Sequence, residues 1–153
     1  MKHILVLLFL IPSFLFAQDL KLIKATKQTI NSGASPTSTT NYRVEVKRSK
    51  SCNWSVDSVV NVYTSKSNLF NITKVGNSTT LQMDPVLIKQ KGIFQITFSS
   101  VKNRGSGRPG TPMNLMVPVA DFTQGAIIYY RVGKKKKQLT VESFDELETI
   151  NAP

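Results

Sequence analysis

From residue 18 onward, apolar and polar residues alternate in short runs divided by turn-forming residues, and no helical period appears until the last residues. Tyr42, Val44 and Val46 alternate with Arg43, Glu45 and Lys47, the pattern of a strand with one buried and one wet face. Phe94, Ile96 and Phe98 do the same within residues 92–101, with Gln95 and Thr97 on the other parity. Two segments are less regular. In residues 19–30, Leu20 and Leu22 share one parity while Ile23 and Ala25 share the other, leaving the register ambiguous. In residues 56–63, Val60 and Val62 oppose Val59 and Tyr63, which implies burial on both faces or a bulge.

Further short strands are expected at residues 69–72, 79–83, 86–88 and 113–119, the last ending near Pro118, which has no amide hydrogen to donate. Residues 31–40 read as a small-polar loop, Gly76-Asn77-Ser78 as a turn, and residues 102–112, rich in glycine and proline, as the most loop-like segment. Residues 126–132 and 138–144 flank Gly133 and four consecutive lysines, which reads as a hairpin with a basic tip. About eight such segments without intervening helices predict an all-β fold, an antiparallel two-sheet β-sandwich of immunoglobulin-like or jelly-roll-like type. With only Cys52 present, a disulfide-linked antibody-type domain is excluded, and Trp54 carries no immunoglobulin signature.

The amino terminus changes the picture. Lys2 and His3 precede an apolar run to Phe16, and Ala17 stands before polar Gln18-Asp19, the order of a cleaved signal peptide over residues 1–17. The run is shorter than the roughly 20 residues a transmembrane helix needs and is broken by Pro12. No cysteine follows it, so lipid anchoring is not expected. The expected organisation is a signal peptide at 1–17, one domain at 18–144, and an acidic tail or short helical turn at 145–153. Localisation is expected to be periplasmic, cell-surface or extracellular.

Composition narrows the chemistry. His3, the only histidine, leaves with the signal, which removes Ser-His-Asp and Cys-His nucleophilic sites and histidine-based metal centres. Without a second cysteine there is no internal disulfide, and burial as a small apolar side chain is the ordinary fate of Cys52. A carboxylate pair or a Ser-Lys dyad survives in principle, but Asp19, Glu45, Asp57, Asp84 and Asp121 are scattered near strand ends and turns. No phosphate loop or dinucleotide fingerprint is present, and no cofactor is expected.

The formal charge of +11 points to anionic partners, and Glu142, Asp145, Glu146 and Glu148 concentrate the acids near residue 145. Nucleic acid is disfavoured because export separates the protein from it and no nucleic-acid-binding motif is present. The candidate binding residues are Lys134, Lys135, Lys136 and Lys137 at the hairpin tip, with Arg104 and Arg108 in the glycine-rich loop. The competing readings are a solvated turn whose lysines discourage strand pairing, and a plain connection. Trp54, Tyr129 and Tyr130 are the aromatics that could stack on a sugar. The two tyrosines are adjacent on a strand and so must point to opposite faces. Asn53, Asn71 and Asn77 begin N-glycosylation tripeptides.

Together these features predict an exported, non-enzymatic protein acting as a binding or structural subunit, with another envelope or secreted protein as partner. Recognition of acidic glycans or lipid head groups through the basic loops is the alternative. A carboxylate-based carbohydrate hydrolase is the remote one.

Overall fold

A computed structural model of the protein describes residues 19–33, 37–63, 67–76, 80–81, 89–103 and 121–152. The signal-peptide reading, the segments at 86–88 and 113–119, Arg104 and Arg108 all lie outside the described residues. The strands are β1 (Leu20–Ser32), β2 (Thr37–Arg48), β3 (Trp54–Asn61), β4 (Ser67–Asn68), β5 (Phe70–Lys74), β6 (Thr80–Leu81), β7 (Gly92–Asn103), β8 (Ala126–Val132), β9 (Lys135–Val141), β10 (Asp145–Glu146) and β11 (Ile150–Ala152). The described residues are all-β: they contain no helix, and therefore none long and apolar enough to cross a membrane.

The strands form two sheets. The larger runs β10-β1-β2-β7-β5-β6, with β11 also on β1, and the smaller runs β4-β3-β8-β9. Both are mainly antiparallel, as the alternating segments predict. Residues 37–40, read from sequence as loop, extend β2, because each of them finds a partner on both β1 and β7 or on β7 alone.

The parity of β2 and β7 carries through. Tyr42, Val44, Val46, Phe94, Ile96 and Phe98 are buried, and they join Trp54, Val59, Ile128, Tyr130 and Val141 of the smaller sheet in one hydrophobic core. Trp54 of β3 meets Phe94 of β7 edge-on at 5.0 Å. At the other end of the core Tyr42 stacks on Phe98 at 5.2 Å, while Phe122 and Phe144 meet both rings edge-on.

Bulges resolve both irregular segments. The register of β1 against β2 shifts between Leu22 and Lys24, so Leu20 faces inward before the shift and Ala25 after it. The register of β3 against β8 shifts between Val56 and Ser58, which turns Trp54 and Val56 inward on one side and Val59 and Asn61 on the other. One extra residue reverses strand parity, so a mixed apolar pattern is what a bulged strand should show. Asp57, the residue at the second shift, receives both Arg131 Nε and Nη2 at 2.8 Å.

The acid-rich segment is neither tail nor helical turn. Phe144 is buried in the aromatic cluster, and the chain beyond it runs parallel to β1, pairing Thr26 with Asp145 and Ile30 with Ile150. Leu147 N–H donates to the Lys27 carbonyl and Gly33 N–H to that of Ala152, both at 2.9 Å. Lys27 pairs with Glu146 at 3.4 Å. Open backbone groups on the β1 edge favour this pairing over a solvated tail.

Gly125 precedes β8 with φ of 118°, and a Cβ there would sit 2.6 Å from the Val141 carbonyl oxygen. Gly125→Ala is therefore expected to lower unfolding free energy by more than about 1 kcal/mol, measured by urea denaturation.

Candidate functional site

The outward face of the larger sheet carries the site. Because Val44 and Ile96 face the core, Arg43 and Thr97 beside them must face away from it. Cross-strand register then places Thr26 and Gln28 of β1, Asn41 and Arg43 of β2, Thr97 and Ser99 of β7, and Asn71 of β5 on one polar surface. These residues line a groove of about 540 Å³. Leu69, 73% exposed, and Leu147, 41% exposed, also line it, one beside β5 and one from the segment along β1.

Gln28 is held by a hydrogen bond from its Nε2 to the Glu148 carbonyl at 3.1 Å. No ion pair or hydrogen bond to another described residue occupies the Arg43 side chain. Arg43 is exposed, and its fork of donors suits a carboxylate or phosphate. The same face of β1 and β2 holds Lys21 directly opposite Lys47, and Lys24 opposite Glu45. Like charges set directly opposite one another oppose folding, so basic charge accumulates on this face at some cost in stability.

The lysine run does not form one patch. β9 begins at Lys135, and a two-residue turn of Gly133 (φ 58°) and Lys134 joins it to β8, replacing the longer lysine loop expected from sequence. Pairing of Val132, Arg131 and Tyr130 with Lys135, Lys136 and Lys137 satisfies backbone groups that a five-residue loop would leave to water. Alternation then sends Lys136 to the opposite face from Lys135 and Lys137. Lys137 forms an ion pair with Asp19. That hydrogen bond holds the Asp19 carboxyl below its ordinary range and raises the Lys137 ammonium above its own, in each case against the opposing effect of desolvation.

Tyr129 and Tyr130 do point oppositely, one exposed and one buried. Trp54 is fully buried, so no tryptophan is available for sugar stacking. Arg48, on the inward parity of β2, is 1% exposed. Its Nη1 donates to the Asp19 carbonyl at 3.3 Å, its Nη2 meets Cys52 Sγ, and its guanidinium lies 5.8 Å from the Trp54 ring. Cys52 is thus half-buried against a cation rather than enclosed in apolar core.

A second polar cluster pins the approach to β8. Asp121 accepts from Tyr42 Oη at 3.3 Å and the Thr123 amide at 3.0 Å, and it pairs with Lys102 at 2.8 Å. Asn61 Nδ2 donates to the Asp121 carbonyl. Buried Ser100 donates to Tyr42 Oη at 3.4 Å. Desolvation pushes the Asp121 carboxyl up, but the Lys102 hydrogen bond, the Thr123 bonds and the Lys102 charge outweigh it and leave the group below its ordinary range. Desolvation, chiefly, raises the Tyr42 phenol.

A carboxylate with a lowered folded pKa stabilises the native state above the unfolded value and loses that contribution as pH falls through the folded one. Thermal stability is accordingly expected to drop below the ordinary carboxylate value of 3.8, where Asp19 and Asp121 take up protons. Asp121→Asn should show a smaller drop when melting temperatures are compared at neutral pH and at about pH 3.

Among the described residues no group of three or more His, Cys, Asp or Glu is placed to hold a metal ion. The groove escapes the sequence because its residues come from separate strands and look there like ordinary wet-face positions. The signal that was present is parity: Asn41 and Arg43 share the face opposite Tyr42 and Val44. Comparison with protein-family models finds no match, and no curated protein matches the chain.

Proposed function

We propose that the chain is an exported, non-enzymatic β-sandwich that serves as a binding module in the cell envelope or extracellular space, with the outward face of its larger sheet as the ligand face. The groove around Arg43 carries this reading: its lining combines amides, hydroxyls and a guanidinium that no other described residue engages, the polar complement a ligand site needs. The sandwich assignment rests on the single core shared by both sheets. Export rests on residues 1–17.

The dispositions of the acids favour structural duty over catalysis. Asp19, Asp57 and Asp121 are each held by a basic partner, and Glu45 stands opposite Lys24. Recognition through the lysine hairpin ranks second, because Lys137 is engaged by Asp19 and Lys136 faces away from Lys135.

A photo-reactive side chain placed at Thr97 should cross-link to a ligand or partner in the native envelope, while one at Tyr129 on the smaller sheet should not. Equal labelling from the two positions would remove the ligand face from the larger sheet.

A further inference from the structure

We infer that the groove takes an acidic oligosaccharide, with Arg43 gripping a sugar carboxylate; this rests on the proposal that the larger sheet is the ligand face. The lining has the chemistry of sugar recognition. Asn41 and Asn71 supply amide donors and acceptors, and Thr97 a hydroxyl, on the same face as Arg43. Leu69 offers an apolar wall suited to the carbon face of a sugar ring. A neutral sugar would leave the guanidinium without a partner, whereas a uronic acid places a planar carboxylate against a fork that matches it.

Charge along β2 suits a chain of acidic sugars better than a monosaccharide. Lys47 and Lys21 stand opposite one another on the face that holds Arg43. Lys47 lies four residue steps along β2 from Arg43, roughly 14 Å at the usual rise. Single carboxylates cannot bridge that distance, but an oligomer with an acid on each ring can, and it would relieve the Lys21–Lys47 repulsion as it binds. Glu45, the carboxylate between them on this face, stands against Lys24 and leaves the strip basic.

Tetragalacturonate and its methyl ester are the probes, since they share shape and hydroxyls and differ in charge. Titration of the purified protein, followed by calorimetry and by amide NMR shifts, should show the acid binding with shifts at residues 41–43, 71 and 97, weakening as salt is raised. The ester should bind at least tenfold more weakly. Arg43→Gln should lose at least tenfold affinity for the acid with an unchanged circular dichroism spectrum, because the side chain makes no ion pair or hydrogen bond to another described residue. Lys47→Gln should weaken the tetramer and leave galacturonate itself unaffected.

Equal binding of acid and ester within the groove overturns the acidic-ligand inference while leaving the ligand face standing. Binding abolished by Lys136→Ser but untouched by Arg43→Gln moves recognition to the hairpin and overturns both. Absence of any shift at the groove residues with either probe overturns the inference.

Discussion

Trp54→Ala is expected to lower the unfolding free energy by about 4 kcal/mol. The indole is fully buried, meets Phe94 edge-on at 5.0 Å and lies under the Arg48 guanidinium. Truncation removes the transfer free energy of a large apolar surface, breaks the edge-on ring pair and leaves a cavity where the two sheets meet. Since domains of this size are stable by roughly 5 to 15 kcal/mol, much of the native margin would go. The transition should be followed by far-ultraviolet circular dichroism in urea, because the variant has no tryptophan to report it by fluorescence. A loss below about 1 kcal/mol would place the indole outside the packed core.

Arg48 should give the second large effect, with a contrast inside it. Arg48→Ala is expected to cost about 3 kcal/mol, because it leaves a void beside Trp54 and frees the Asp19 carbonyl from its donor. Arg48→Met should stay within about 1 kcal/mol of the parent, since an apolar chain of similar length fills the space without a buried charge. Arg48 Nε has no hydrogen-bond partner among the described residues, so the guanidinium is incompletely compensated where it lies. If methionine proves as damaging as alanine in urea titrations, the charge itself stabilises the fold through Asp19 and the indole. The Trp54 and Arg48 effects should also fail to add, because each substitution abolishes the same guanidinium–indole pair.

Arg48 shows where sequence reading stops. It shares parity with Tyr42, Val44 and Val46 and so belonged to the inward face, but a charged residue at a strand end is ordinarily read as solvated. The regular strands were plain because alternation is dictated by one wet and one dry face. The bulged ones were visible only as contradictions of parity near Ile23 and Asp57, which mark that a shift exists without showing which residue is extra. Lysine content disguised the start of β9, since strand pairing across a two-residue turn is decided by backbone groups that side-chain polarity does not report. The acidic segment was obscured for a related reason. Its pairing with β1 spans about 120 positions, and local pattern carries no signal of so distant a neighbour. The groove needed β1, β2, β5 and β7 side by side before Arg43 could be seen among amides and hydroxyls. Alternation assigns each residue a face but not its neighbours across the sheet.

The parallel placement of β10 and β11 against β1 has a mechanical consequence. Because those strands point the same way, the start of β1 and the end of β11 lie at opposite ends of the paired edge. Tension applied between Leu20 and Ala152 therefore pulls along the strands, and the Leu147–Lys27 and Gly33–Ala152 bonds bear the load together in shear. The β8–β9 hairpin is joined at one end and has its free ends side by side, so a pull on those ends, Ala126 and Val141, would open it one rung at a time.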